Sequence, residues 1–193
     1  MFGYVKAVYQ EIRGLPSLVR QSAKEMHQLR SLTGGAMLTA VSVIINQFTI
    51  FINQIMRLGF TFLPIALSGM LYGPLITGSL GAVCDILKYF TRNDGGAFFP
   101  GFTISSFVAG FLYGIFLYKK PVTLRRVIAT RLCVMVVDSW ILNSLWLSML
   151  YGNAFIALVS ARMLKSVLVF PVEVALLYLT LKTVAARRPL RNT

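Results

Sequence analysis

Acid is scarce in this chain, and histidine and cysteine are scarcer. Its 193 residues hold six Asp and Glu, one His and two Cys. His27 is the lone imidazole, so the sequence has no Cys/His or Ser/His couple for nucleophilic catalysis and no HExxH metal motif. Asp85 and Asp138 would have to serve as any aspartyl dyad, yet neither stands in a GxGD context. The stretch Gly73-Pro-Leu-Ile-Thr-Gly78-Ser79 has the glycine spacing of a P-loop but lacks its lysine, and so cannot cradle ATP in that way. The expectation is a protein that is not an enzyme and carries no metal or cofactor. Cys84 and Cys133 lie inside apolar stretches and read as small core residues, not as a disulfide framework. Residues 1–30 have no uninterrupted apolar stretch before a cleavage site, so no signal peptide is expected there.

Charged residues make up only 13% of the chain, against roughly a quarter in soluble domains. What fills their place is hydrophobic: 56% of residues, with a mean hydropathy of +0.72. This describes an all-α integral membrane protein built as one bundle. The net charge of +13 sits mostly beside apolar spans, as loop anchors on one membrane face, and does not indicate a nucleic-acid partner. Residues 1–31 read as an amphipathic segment on the inner membrane surface, 32–182 as the membrane domain and 183–193 as a basic tail. Leu32 to Met56 is free of charge and turns polar from Asn46 onward, where the first helix should end and a loop run to Arg57. Leu58 to Phe90 breaks at Tyr72-Gly73-Pro74 into two pieces of about 20 and 24 Å, short for a bilayer. After a loop at 91–101 come spans at Phe102–Tyr118, Val127–Leu150 and Ala154–Lys182, with a kink expected at Pro171. Lys and Arg crowd the N-terminal segment, the 119–126 loop and the tail, which implies six spans with both termini cytoplasmic.

Placed by depth, several polar residues fall at one level in the outer half of the membrane. Asp85 lies about 8 Å below the outer end of span three, and Asn143 and Trp146 about 6–10 Å below that of span five. Arg162 lies about 12 Å into span six with Lys165 one turn further, and Glu173 shares their stripe. Buried charge in a bilayer is costly, so basic groups here need an internal partner or an anionic visitor. Two readings fit Asp85: an ion pair with Lys88, Arg92 or Arg162, or a hydrogen-bond acceptor in an outward-facing pocket. Arg131 and Asp138, seven residues apart on span five, are expected to pair with each other unless Arg131 snorkels to the inner surface. Glu173 suits a helix-to-helix bond. Basic side chains recognise carboxylates, and aromatic ones such as Phe98, Phe99, Phe102 and Trp146 stack on flat rings. A carboxylate accepts paired N–H bonds from a cyclic amino-amide. An anionic, ring-bearing small molecule fits all three. Small-xxx-small patterns at Ala36/Ala40, Gly69/Gly73 and Gly110/Gly114 allow close helix contact inside the bundle, and the first, at the inner end of span one, could instead receive a partner.

Three stretches, RLGFTFLPIALSGMLYGPL (Arg57 to Leu75), GGAFFPGFTISSFVAGFLYGIFL (Gly95 to Leu117) and NSLWLSMLYGNAFIALVSARMLK (Asn143 to Lys165), resemble the folate-specific S component of energy-coupling factor (ECF) vitamin transporters. The resemblance spans Leu32 to Leu181 and rests on PGFT, LWLSxLYG and RxxLK in that order and spacing. It implies six helices in a bacterial cell membrane, folate binding near the outer face, and a complex with a membrane scaffold subunit and two cytoplasmic ATPases. It also implies release by toppling in the membrane. Ala36 and Ala40 match the scaffold-contacting alanine motif, Arg162 and Lys165 the paired basic positions of helix six, and Asn143 and Trp146 the NTLW segment, with Ser144 in place of its threonine. The expected ligand-binding set is Arg57, Asp85, Phe98, Phe99, Asn143, Trp146, Arg162 and Lys165. Arg57, Arg162 and Lys165 are assigned the carboxylates or ring carbonyl, Asp85 and Asn143 the pterin edge, and the aromatics the stacking. Rival functions are an S component for another anionic vitamin such as pantothenate or riboflavin, and a self-sufficient proton-coupled transporter using Asp138 or Glu173.

Overall fold

The computed structural model describes residues 19, 22–23, 28–48, 50–51, 57–91, 98–151 and 155–187. Most of the expected N-terminal helix, the loop at 92–97, the turn at 152–154 and the tail from 188 lie outside the described residues. So do the side chains at positions 57, 162 and 165.

Helix α1 (Leu29–Gln47) stops where the sequence turns polar. The expected loop is instead closed as a two-residue ladder, β1 (Ile50–Phe51) antiparallel to β2 (Arg57–Leu58), with Ile50 opposite Leu58 and Phe51 opposite Arg57. Then come α2 (Phe62–Tyr72), α3 (Pro74–Thr91) and α4 (Pro100–Leu117). The fifth rod, α5, is α-helical at Leu124–Val134, π-helical at Met135–Leu142 and α-helical again at Asn143–Tyr151. Helix α6 (Phe155–Arg187) carries Pro171 inside it and continues past the expected end at Lys182. Among the described residues, three stretches are long and apolar enough to cross a membrane: Pro100–Leu117, Leu124–Leu150 and Ser166–Arg187.

The break between α2 and α3 falls where expected, but unequally. The first piece has 11 residues, about 16 Å, and the second 18, about 27 Å, so only α2 is markedly short. Gly73 has φ +84° and ψ −178°, a conformation essentially reserved for glycine, and Pro74 starts α3 with its ring-fixed φ. The elbow is sealed from outside the bundle. The Ser22 hydroxyl, fully buried, donates to the Tyr72 carbonyl and accepts from the Leu75 N–H, both at 3.2 Å.

Lipid is as apolar as leucine, so close packing and hydrogen bonds must hold such helices together. The glycines of α4 supply the closeness. A Cβ on Gly114 would sit 2.3 Å from Pro74 Cα, and one on Gly110 would sit 2.4 Å from the Thr77 carbonyl oxygen. Helix α4 therefore rides directly on the backbone of α3. The dense core joins α2, α4, α5 and α6, where Ala66, Leu117, Val127, Leu177 and Leu181 are almost fully buried. Outward-facing Val167, Leu168, Val172 and Leu179 on α6 are exposed, as a lipid-facing surface requires.

Candidate functional site

A cavity of about 330 Å³ lies among all six rods. That is within the usual range for a small-molecule site. Three helices each contribute a pair of wall residues seven positions apart: Ser106 and Tyr113 on α4, Arg131 and Asp138 on α5, Ser166 and Glu173 on α6. Seven residues bring a helix back to nearly the same face about 10 Å along. The wall is therefore about one heptad long. Asn46, Gly59, Thr61 and Lys88 border it at the ends of α1, the hairpin and α3.

One end is closed by a buried ion pair. Arg131 Nε donates to Glu173 Oε2 at 2.9 Å, Nη2 approaches Oε1 at 2.6 Å, and Nη1 donates to the Tyr113 hydroxyl at 2.7 Å. The guanidinium also lies over the Phe62 ring, 4.5 Å from its centroid. Four helices thus meet at one cation. The expected Arg131–Asp138 pair does not form, because Glu173 and Tyr113 on neighbouring helices take up the Arg131 guanidinium. Glu173 makes the inter-helix bond expected of it.

Lys88 behaves differently. Among the described residues no carboxylate pairs with it, although Asp85 stands one turn earlier on α3. Asp85 is occupied by α4, whose Thr103 hydroxyl donates to Oδ2 at 3.0 Å. Of the two readings of Asp85, the ion pair with Lys88 is not made; Arg92 and the Arg162 side chain lie outside the described residues.

The remaining expected site residues gather near the start of α4. Phe99 packs against Trp146, ring centroids 5.6 Å apart, and against Phe102 at 5.9 Å. The Trp146 indole donates to the buried Ser105 hydroxyl at 3.0 Å, next in sequence to the cavity residue Ser106. Gly101 makes room for this pair, since a Cβ there would meet the Phe99 and Trp146 rings at 2.4 and 2.6 Å. Phe98 is exposed and packs edge-on against Tyr89 at 5.2 Å. Asn143 donates its side-chain amide to the Asp138 carbonyl at 3.0 Å, and Ser144 donates to the Ser139 carbonyl at 3.2 Å. Both bonds reach back five residues across the π-helical winding, a geometry that recurs at functional sites. Asp85, Phe98, Phe99, Asn143 and Trp146 therefore flank the 330 Å³ cavity without lining it. Arg162 falls on α6 one turn before Ser166, and Lys165 immediately precedes Ser166 in the same rod. Ala36 and Ala40 lie one turn apart on the exposed side of α1.

Sequence reasoning missed Lys88, Asn46 and the serines as cavity residues. The usable signal was the seven-residue polar repeat on three helices, of which only the Arg131–Asp138 case stood out. Cys84 is buried as expected, whereas Cys133 is partly exposed.

Residues 30–181 match the family described as ECF transporter, substrate-specific component. The chain is 36% identical over 143 residues to the "Folate transporter FolT" of Clostridium novyi, covering 74% of this chain and 83% of that protein. It is 30% identical over 153 residues to the protein of the same name from Leuconostoc mesenteroides, covering 76% and 81%. Among solved structures, a crystal structure of FolT bound with folic acid superimposes with a TM-score of 0.72 at 38% identity, covering 78% of this chain and 91% of that one. The chain belongs to the substrate-specific component family of ECF transporters and is a multi-pass protein of the bacterial plasma membrane.

Proposed function

We propose that this chain captures folate from outside the cell and hands it on through a complex with a membrane scaffold subunit and two cytoplasmic ATPases. The observation that carries the proposal is Lys88, a cation on the wall of a 330 Å³ cavity with no carboxylate partner among the described residues. Folate is a flat ring with a dianionic tail, which suits a slot bearing charge at one border. The relatives' names and the folic acid in the similar crystal structure support the same ligand. Arg57, Arg162 and Lys165 join Lys88 as partners for carboxylates or ring carbonyl. Asp85 retains Oδ1 for the pterin edge beside its Thr103 bond, Asn143 sits at the same level, and Phe98, Phe99 and Trp146 supply aromatic surface. Ala36 and Ala40 offer α1 to the scaffold. The excess of Lys and Arg at 119–126 and at the two ends of the chain supports an orientation with both termini in the cytoplasm. The ligand is moved and not chemically altered.

Titration of folate into detergent-solubilised protein, read by Trp140 and Trp146 fluorescence, tests the reading. Saturable binding is expected, and Arg162→Ala should weaken it by about 1.5–3 kcal/mol. Tight binding of pantothenate or riboflavin with none of folate would assign the pocket to another vitamin. Proton-driven uptake by the lone subunit in proteoliposomes would remove the need for the ATPases.

A further inference from the structure

A second, much smaller cavity of about 10 Å³ lies where α1, α2 and α3 meet. Its wall is mostly apolar, but each of the three helices contributes a hydroxyl. Ser42 comes from α1, Ser68 from α2 and Thr77 from α3. The Ser68 and Thr77 hydroxyls lie 3.2 Å apart in one hydrogen bond. Ser42 is 1% exposed, and its hydroxyl oxygen has no hydrogen-bond partner. A buried hydroxyl left without a partner is costly, and more so where lipid surrounds the helices. A space of this size admits about one water, provided two or more polar groups converge on it. The cavity stands at that size limit, and the hydroxyl-bearing Ser42, Ser68 and Thr77 are among its lining residues.

We propose that a single water molecule is bound in this cavity, hydrogen-bonded to Ser42 and to the Ser68–Thr77 pair. It ties α1 to the α2–α3 elbow. The tie adds a hydrogen-bonded link to a seam of α1 that is otherwise made by close packing. The buried positions there are Ser31, Gly35, Thr39 and Ser42, small or hydroxylated side chains on one helical stripe. Thr39 gives its hydroxyl to its own helix, at the Gly35 carbonyl. Only Ile65 is shared between the walls of the two cavities, so the water lies one side chain away from the larger site without joining it.

Two measurements on the full-length chain test the proposal. A high-resolution crystal structure should show one ordered water within hydrogen-bonding distance of Ser42 Oγ. A dry cavity, with Ser42 turned back onto the Leu38 carbonyl, would overturn it. The second is a double-mutant cycle in thermal melting with Ser42→Ala and Thr77→Val. If one water joins the two hydroxyls, each single change should lower the midpoint by about 2–4 °C. The double variant should then melt no lower than the worse single. Strictly additive losses would mean that the hydroxyls act separately and that no water joins them.

Discussion

Arg131 and Glu173 form a two-point ion pair across the α5–α6 interface, with Nε–Oε2 at 2.9 Å and Nη2–Oε1 at 2.6 Å. Both side chains are less than a fifth exposed, so neither charge has much water to fall back on. Cutting one partner strands the other. Glu173→Ala should destabilise the solubilised protein by about 3 kcal/mol. Replacing both by apolar residues, Arg131→Met with Glu173→Leu, should restore most of that loss. Melting curves of the three variants decide the matter, and a double variant as unstable as the single would refute the account.

The α3–α4 contact leaves no room for one methyl group. Gly114→Ala places its Cβ against the Pro74 backbone, which cannot turn aside, and should cost about 1–3 kcal/mol. Gly34→Ala meets the tip of the Tyr72 side chain, which can swing, and should cost less. Their melting temperatures should fall in that order.

At the elbow, Gly73→Ala faces two penalties. The backbone conformation at φ +84° costs a side-chain-bearing residue about 1–3 kcal/mol. The added methyl also reaches to 2.8 Å from the Ser22 hydroxyl. Ser22→Ala removes that oxygen but also its two hydrogen bonds, to the Tyr72 carbonyl and the Leu75 N–H. The double variant should therefore be no more stable than Gly73→Ala alone, as read by thermal melting.

Trp146 and Ser105 form another separable pair. Ser105→Ala leaves the indole N–H without its acceptor and should destabilise by about 1–3 kcal/mol. Tryptophan emission should shift as well, since the N–H loses its hydrogen bond. An unchanged spectrum would mean that the indole is not held as described.

For the ligand, Lys88→Met should weaken folate by about 1.5–3 kcal/mol, roughly ten- to hundredfold. A pterin lacking carboxylates should bind the variant and the parent alike. Equal loss for both compounds would place Lys88 away from the anionic tail. Fluorescence titration makes both comparisons.

Much of this architecture was already legible along the chain. Apolar runs located the rods, Asn46 and Gln47 ended α1, and Gly73-Pro74 marked the elbow, because hydropathy, turn preference and proline geometry act locally. Oppositely, Asp85 was weighed as a partner of Lys88 and Arg131 as a partner of Asp138. Each pairing shares a helical face, and each was set aside by a group on another helix: Thr103 in the first case, Glu173 and Tyr113 in the second.

What the order of residues determined by itself is the number of rods, roughly where each lies, and the kinship carried by PGFT, LWLSxLYG and RxxLK. What only the assembled bundle decided is which polar groups are spent on one another and which remain at the wall of a cavity. A helix's own sequence sets its polar stripe, but the rotation and axial offset of its neighbours set what that stripe meets. A shift of one turn, about 5 Å, is enough to exchange one partner for another.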